Sequence, residues 1–336
     1  MSRWLFLARF KKKESQYQSL KSDIEDVIKE DTQIDPQLKT ERCYVRVTAK
    51  HIRKELVLKK GFGLECFCQR TINNVLNRLG YYLKKVLKTK PLKKIAQTDA
   101  IFENVAQKHT LAEDNPRILR ISIDVKAKVK IGNLSRNGYS RQLIAPKTDD
   151  HDQKWDAVLV PFGIKEFNTD DLYIIFGNSK ETSDFIFDAL LLWWSLRQFN
   201  SNDYDLLMID LDNGKPVASN TKLFIRRIVA FAKHIGLPIQ LVYYPPYHSK
   251  YNAIERVWAA LENYWKPLVL DTIDNTLAIA QKMTFKGINP IVKFIDKVYQ
   301  TGIEVPYKEF KELQNYVVRN PDLHLWDVLI KTPSSA

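Results

Sequence analysis

The sequence contains little cysteine, and this scarcity excludes several classes of protein. Its 336 residues include Cys43, Cys66 and Cys68 as the only cysteines. So few thiols cannot build a disulfide framework, and Cys66 and Cys68 lack a second cysteine pair with which to form a zinc site. The sequence therefore predicts reduced thiols in a cytosolic protein.

Long hydrophobic runs are also lacking. No stretch of about 18 uncharged apolar residues occurs, so we expect no membrane span. The apolar run near the start is short and is followed by lysines without a cleavage-type site, so we expect no signal peptide. With 45% apolar and 27% charged residues, the composition is typical of a soluble globular protein. The length allows two domains of about 100–200 residues each.

Acidic residues are scarce in one part of the chain only. Residues 1–110 hold 24 lysines and arginines against 12 acidic residues, whereas residues 111–336 hold 28 against 27. Nearly all of the net charge of +13 therefore lies in the first third. This asymmetry predicts a polyanion-binding N-terminal module joined to a nearly neutral second domain. A solvated basic surface is the alternative explanation.

Two helices are predicted in the N-terminal module. Thr48 can cap the first, whose apolar residues Ile52 and Leu56 lie four positions apart. The second helix is predicted over residues 70–80, with Thr71 as its N-cap and Gly80 as its stop.

The polar face of the second predicted helix suggests contact with DNA. Asparagine and arginine side chains can bond to base edges and phosphates, and a lysine-rich segment follows the helix. A helix, a turn, a polar-faced helix and a basic segment together predict a helix-turn-helix module. The candidate DNA-binding residues of this module are Arg70, Asn73, Asn74, Asn77, Arg78, Lys84, Lys85 and Lys88.

The second domain shows strands and helices in mixed order. Residues 119–125 alternate and are rich in β-branched side chains, which is typical of a strand. This order predicts an α/β sheet with helices on both faces. The predicted strands span residues 119–125, 157–160, 172–176, 205–209 and 239–244, and residues 129–131 are predicted to continue extended after the first of them. The predicted helices span residues 182–196 and 222–235 and begin again at about residue 254.

Three carboxylates follow predicted strands. Asp124 ends the first strand, Asp212 follows the fourth, and Glu255 begins the helix after the fifth. Ligands of such sheets gather at the carboxyl ends of the parallel strands. If the strands that carry Asp124 and Asp212 are neighbours, the three acids share one edge of the sheet. Hard oxygen ligands of this kind suit Mg²⁺ or Mn²⁺.

Several phrases of the sequence resemble one family. They are SIDVKAKVKIG at residues 122–132, DNG at residues 212–214, YYPPYHSKYNAIERVW at residues 243–258 and MTFKG at residues 283–287. Together they resemble the DDE transposases of bacterial insertion sequences, of the ISAzo type with the Rhodopirellula-type DDE domain. The resemblance runs from about residue 41 to about residue 305.

The resemblance implies a ribonuclease-H-like catalytic domain and a two-metal mechanism of DNA cleavage and strand transfer. By position, Asp124, Asp212 and Glu255 match the three catalytic, metal-binding acids of the family, and Asp210 is the alternative for the second. Two Mg²⁺ or Mn²⁺ ions are implied. Two such ions can activate a hydroxyl and stabilise the leaving oxygen of a phosphodiester. The implied partners are double-stranded DNA, as terminal inverted repeats and target, and a second copy of the chain in the DNA complex. The implied location is the bacterial cytoplasm, at the nucleoid.

Residues around the third acid are weaker candidates. His248, Lys250 and Arg256 are candidate phosphate contacts, although a polar surface turn explains them equally well. Trp193, Trp194, Trp258 and Trp265 are expected in the core. The expected domains are a poorly defined segment over residues 1–40, a helix-turn-helix domain and linker over residues 41–112, the catalytic domain over residues 113–310, and a C-terminal tail over residues 311–336.

Two alternative functions remain open from the sequence. One is a nuclease of the same fold that cuts without joining. The other is a non-catalytic DNA-binding protein, because Lys215, Pro216 and Val217 follow the DNG phrase where the family usually has Pro-Glu.

Overall fold

The computed structural model describes residues 12–30, 32–34, 43–45, 48–82, 95–141, 143–149, 154–197 and 203–332. The chain divides into two compact units, one over Met1–Thr89 and one over Lys90–Ala336. In the part that the structure describes, no helix is both long and apolar enough to cross a membrane.

The smaller unit is built mainly of helices. Apolar side chains of α2, α3 and α4, among them Ile24, Leu56 and Val75, form a core of their own. Its elements are α1 (Lys13–Gln16), α2 (Leu20–Glu30), α3 (Ala49–Lys60) and α4 (Gln69–Arg78), with an antiparallel pair of short strands, β1 (Thr32–Ile34) and β2 (Cys43–Val45).

The caps of these helices agree only in part with the sequence. The Thr48 hydroxyl accepts a hydrogen bond from the His51 amide at 3.1 Å, so the predicted cap of α3 is confirmed. The predicted cap of α4 is wrong, because that helix begins at Gln69 with Cys68 at the N-cap position. Eight residues, 61–68, separate α3 from α4, whereas a helix-turn-helix usually has a turn of about three or four.

The larger unit is organised around a sheet. Among the described residues nine strands form it, and eight of them follow the order β10-β11-β8-β7-β3-β5-β6-β9, with β4 paired to β5. All the predicted strands are present. They are β3 (Ile118–Val125), β4 (Val129–Ile131), β5 (Ala157–Glu166), β6 (Leu172–Gly177), β7 (Leu206–Asp212), β8 (Ile239–Tyr244), β9 (Ile291–Ile295), β10 (Val317–Arg319) and β11 (Asp327–Ile330).

Strand direction determines which chain ends meet. β3, β5 and β6 form an antiparallel meander, whereas β3, β7 and β8 are parallel to one another. The segment expected to be a C-terminal tail contributes β10 and β11, and β11 pairs antiparallel with β8. The carboxyl ends of β3 and β7 therefore lie side by side at one edge of the sheet.

Helices cover both faces of the sheet, as predicted. Side chains of β6 alternate between two cores, with Tyr173 and Ile175 in one and Ile174 and Phe176 in the other. The first core includes α6 and α7, and the second includes α8 and α9. The helices of this unit are α5 (Thr98–Asp114), α6 (Ser183–Leu196), α7 (Lys222–Ile235), α8 (Ile254–Trp265), α9 (Ile273–Lys282) and α10 (Tyr307–Leu313).

The linker expected before the catalytic domain is α5, and it belongs to the larger unit. Ile101 and Val105 of α5 are buried in the first core. Lys108 forms an ion pair with Asp327 at the start of β11, with Nζ and Oδ1 3.3 Å apart. α5 therefore packs as an integral helix of the larger unit.

Candidate active site

Asp124 and Asp212 lie at the carboxyl ends of neighbouring parallel strands. In the register of β3 and β7, Ser122 lies opposite Asp210. Two residues further along each strand, Asp124 and Asp212 therefore come opposite each other. Side chains two residues apart point to the same face of a strand, so this pairing brings the two carboxylates together at the sheet edge.

Asp210, the alternative second acid, already has partners. Its Oδ2 atom accepts hydrogen bonds from Nε and Nη2 of Arg120 at 3.0 and 2.8 Å. The Nε2 atom of His109 lies 3.0 Å from the same oxygen. Asp210 is fully buried, and its Oδ1 atom, like that of Asp212, has no hydrogen-bond partner among the described residues. A buried carboxylate that is bound to a guanidinium through its other oxygen nevertheless has a structural role that a metal ion would disrupt. These contacts favour Asp212 as the second acid.

A buried polar network fixes the helix that carries Glu255. The Asn252 side chain donates to the Ile123 carbonyl at 2.9 Å and accepts from the Ser122 hydroxyl at 2.5 Å. The Ser122 hydroxyl in turn accepts from the Ile254 amide at 3.1 Å, at the first turn of α8. Both side chains are fully buried. The start of α8, and with it Glu255, is thereby held against the end of β3, next to Asp124.

A second bond joins the same helix to Asp124 itself. The indole N–H of Trp258 donates to Oδ2 of Asp124 at 2.8 Å. Trp258 is buried, as predicted, and packs in the second core. The sequence does not predict its contact with Asp124, because the phrase over residues 243–258 identifies a tryptophan but not the carboxylate to which its indole bonds.

The electrostatic environment disfavours ionised carboxylates in the protein without a bound cation. Burial, and secondarily the charges of Glu255 and Asp212, raise the pKa of Asp124 to about 7, although the Trp258 bond acts in the opposite direction. Burial and the Glu255 charge raise the pKa of Asp212 to about 6. Mutual repulsion of this kind requires that the three acids lie near one another.

A small cavity opens beside the two aspartates. Asp124, Asp212, Glu181 and Gly214 line it together with apolar side chains of both strands. The Oδ1 atom of Asp212 is buried and has no hydrogen-bond partner among the described residues. As the described side chains stand, no group of three or more His, Cys, Asp or Glu residues is arranged to hold a metal ion. The geometry therefore shows neighbouring acids, one with an unpartnered oxygen, but not a closed set of ligands.

The candidate DNA contacts differ in where their side chains lie. Lys250 and Arg256 are exposed near the start of α8. His248 differs from the prediction, because it is 5% exposed, its Nδ1 lies 2.7 Å from the Pro246 carbonyl, and its ring packs against Tyr251. This burial withdraws His248 from the surface.

The candidates of the smaller unit are mostly at its surface. Arg70, Asn73, Asn74 and Asn77 are exposed on α4. Arg78 is also exposed, but its Nε atom donates to Glu14 at 2.5 Å. Lys84, Lys85 and Lys88 lie outside the described residues.

The chain has distant similarity to solved structures of a transposase. No curated protein matches the chain. Among solved structures, the chain is similar to the Mos1 transposase paired-end complex with the left transposon end, at 9% identity and a TM-score of 0.41 over 82% of this chain and 71% of that one. The chain is also similar to the Mos1 strand transfer complex, at 10% identity and a TM-score of 0.40 over 82% of this chain and 70% of that one. For the Mos1 mariner paired-end complex with Mn, the identity is 9% and the TM-score is 0.42 over 76% of this chain and 68% of that one.

A family model matches nearly the whole chain. The model is that of the Rhodopirellula transposase DDE domain, and it matches residues 23–332. This range contains most of the smaller unit, nearly all of the larger unit and all three candidate acids. The chain therefore belongs to the family of the Rhodopirellula transposase DDE domain.

Proposed function

We propose that this protein is an insertion-sequence transposase that cleaves DNA at the ends of its element and joins those ends to a target. The observation that carries the proposal is the pairing of Asp124 and Asp212 at the ends of β3 and β7, with the Glu255 helix bound to the same strand end. The mixed sheet of an antiparallel meander followed by parallel strands supports a ribonuclease-H-like catalytic domain.

The acids fit a divalent cation of the Mg²⁺ or Mn²⁺ type. Carboxylate oxygens are the ligands that these hard ions prefer. The unpartnered, buried Oδ1 of Asp212 and the raised pKa values of both aspartates are what a site lacking its counter-charge should show. When bound, two such ions would supply the Lewis acidity that activates a water or 3′-hydroxyl and stabilises the leaving oxygen of a phosphodiester.

Each acid then has a defined task. Asp124 and Asp212 would hold cation from the rigid ends of two central strands, and Glu255 would complete the ligand set from α8. Three anionic side chains repel one another without a cation, and this accounts for a ligand set that is not closed in the protein alone. Rigid strand ends keep the reacting groups in register, which is the main requirement of phosphoryl transfer.

The smaller unit is proposed to bind the terminal inverted repeats. The exposed asparagines of α4 stand opposite the buried Ile72 and Val75. Basic residues are twice as numerous as acidic ones in the first 110 residues. Both features suit a helix-turn-helix-type reader of duplex DNA, with target DNA bound at the larger unit and self-association of the chain in the complex. The protein would act in the bacterial cytoplasm, at the nucleoid.

The proposal is tested with DNA that carries the ends of the element. Asp124→Asn and Glu255→Gln should abolish cleavage while binding of the ends is nearly unchanged. Glu262→Gln is the matched control on the same helix, since Glu262 bonds to Lys126 and Trp265 instead, and it should cleave like the wild type. Loss of end binding in proportion to loss of cleavage would count against the assignment.

The same assay separates the alternative functions. Cleaved ends that are never joined to a target indicate a nuclease without strand transfer. Two observations favour the non-catalytic alternative. Lys215 and Pro216 follow the DNG phrase where the family usually has Pro-Glu, and the described acids do not form a closed set of metal ligands. Calorimetric titration with Mn²⁺ tests it, because a protein that binds no divalent ion cannot perform metal-dependent cleavage.

A further inference from the structure

We propose that Trp258 is a positioning residue that holds the carboxylate of Asp124 in its metal-binding orientation, and that Gly163 provides the space for it to do so. The inference rests on the proposed function, because it assigns a role around the same acids. It adds two residues, one aromatic and one glycine, that themselves supply no ligand atom to a metal ion.

The indole and the carboxylate are joined directly. Nε1 of Trp258 lies 2.8 Å from Oδ2 of Asp124, which is a normal length for a charge-assisted bond. The indole bonds to Oδ2 of the carboxylate, so in the proposed role Oδ1 is the oxygen that would contact a cation. Trp258 is 5% exposed and packs in the second core, so the ring itself has little freedom to turn. A fixed donor of this kind restricts rotation of the Asp124 side chain.

Gly163 explains how a ring of this size reaches the strand end. In the antiparallel pair of β3 and β5, Gly163 lies directly opposite Asp124. A Cβ atom at this position would lie 2.6 Å from both Cη2 and Cζ2 of Trp258, and 2.8 Å from Cδ1 of Ile254. The glycine is therefore required for space. The indole lies over the bare backbone of β5 and extends from there to the carboxylate beside it.

The same helix carries the third acid. Glu255 and Trp258 are three residues apart on α8, so they are neighbours on the helix surface. Any movement of α8 therefore displaces two groups at once, the candidate ligand Glu255 and the Trp258 donor that orients Asp124. The Ser122–Asn252 network fixes the first turn of this helix to β3, and the Trp258 bond fixes the next turn to Asp124. Two acids from distant parts of the sequence are thereby held in one geometry.

Trp265 shows what a purely structural tryptophan looks like in the same helix. It is fully buried in the same core as Trp258. Its indole N–H donates to Glu262 at 3.0 Å, and not to a candidate metal ligand. The two residues therefore share helix, core and burial but differ in the carboxylate that they contact, which makes Trp265 a matched control.

The test measures Mn²⁺ binding to the full-length protein by electron paramagnetic resonance of free Mn²⁺. Trp258→Phe keeps an aromatic ring but removes the N–H, and removal of an outer-shell partner typically weakens metal affinity about 10–100-fold. We expect a loss in this range for Trp258→Phe and a change of less than about twofold for Trp265→Phe. Circular dichroism shows whether both variants are folded, and binding of element-end DNA should be unchanged in both.

The outcomes distinguish this inference from the proposed function. If Asp124→Asn loses Mn²⁺ binding while Trp258→Phe binds like the wild type, the positioning role is overturned and the proposed function stands. If Asp124→Asn binds Mn²⁺ as tightly as the wild type, the metal site lies elsewhere and both are overturned. Equal losses in Trp258→Phe and Trp265→Phe would show a general packing defect and would also overturn the positioning role.

Gly163→Ala provides a second route, and if Trp258→Phe fails to fold the single variant suffices, because a folded Gly163→Ala with the Mn²⁺ affinity of the wild type would overturn the positioning role. The added methyl must displace the indole, so Mn²⁺ affinity should fall in the single variant. A phenylalanine at position 258 lacks the outer indole atoms that the methyl would meet. The further loss caused by Gly163→Ala should therefore be smaller in the Trp258→Phe background than in the wild type. Equal losses in both backgrounds would contradict the proposed contact.

Discussion

Replacement of Asp124 by asparagine is expected to stabilise the metal-free protein at pH 8. Burial raises the pKa of Asp124 to about 7, whereas in an unfolded chain the pKa of an aspartate is about 3.9. Between these two values the folded state keeps a proton that the unfolded state has lost. Stability therefore falls as the pH rises from about 4 to about 7.

The size of the effect follows from the shift. A shift of about 3 pKa units at about 1.4 kcal/mol each gives an upper bound of about 4 kcal/mol at pH 8. Partial access of solvent to the site reduces this, and we expect about 2–4 kcal/mol. Asparagine carries no charge, and its carbonyl oxygen can still accept the Trp258 hydrogen bond. Asp124→Asn and the wild type should therefore differ little at pH 4.5 and most at pH 8.

Urea unfolding in the presence of EDTA measures this difference. Six of the seven tryptophans lie between residues 155 and 326, so their fluorescence reports mainly on the larger unit. Asp210→Asn is the control that should destabilise the protein, because it removes the buried charged partner of Arg120 and leaves only the exposed Glu113, 3.8 Å away. Breaking a buried pair in this way costs about 3–5 kcal/mol. A wild type that is as stable as Asp124→Asn at pH 8, or a difference that does not change with pH, would refute the reasoning.

Three further predictions concern other parts of the molecule. Asn252→Ala should lower the free energy of unfolding by about 1–3 kcal/mol, since the buried Ser122 O–H loses its acceptor and the Ile123 carbonyl loses the Asn252 donor. Urea unfolding checks this, and an unchanged midpoint would contradict it. Gly214→Ala should change the free energy of unfolding by less than about 0.5 kcal/mol, because a Cβ atom there meets only Pro216 at 4.0 Å. It should reduce end cleavage if DNA approaches this backbone, and full cleavage activity would contradict that approach. Replacing Asn73 and Asn77 by alanine should reduce discrimination between element ends and random DNA by about 1–3 kcal/mol for each base that an asparagine contacts. Competition binding measures this discrimination, and the steep salt dependence of binding should remain. Unchanged discrimination would show that α4 does not read the DNA sequence.

Much of the fold is predictable because its strands and helices have strong local patterns. The alternation over residues 119–125 and the apolar run over residues 182–196 match β3 and α6 closely. The C-terminal strands β10 and β11 have three and four residues, too few for a periodic pattern to identify them. Their place in the sheet depends on pairing with β8, which is far away in sequence.

The candidate acids could be predicted because each lies where a strand or helix boundary is visible in the sequence. The residues that hold them could not. Ser122, Asn252 and Trp258 act through atoms that meet only after β3 and α8 pack together, across more than 120 positions of sequence. Gly163 lies within a strand, and the need for a glycine there becomes apparent only when the Trp258 ring is seen to pack against its backbone. His248 illustrates the opposite error, since a polar residue in a turn was expected at the surface but is buried.

The most direct test of the central claim is to locate Mn²⁺ in crystals of the protein by its anomalous scattering. We expect an anomalous peak at the ends of β3 and β7, in contact with carboxylate oxygens of Asp124 and Asp212 and with Glu255 turned towards it. No such peak is expected in crystals of Asp124→Asn. An anomalous peak bound only elsewhere, or the same peak in Asp124→Asn, would contradict the assignment of these three acids as the metal-binding site.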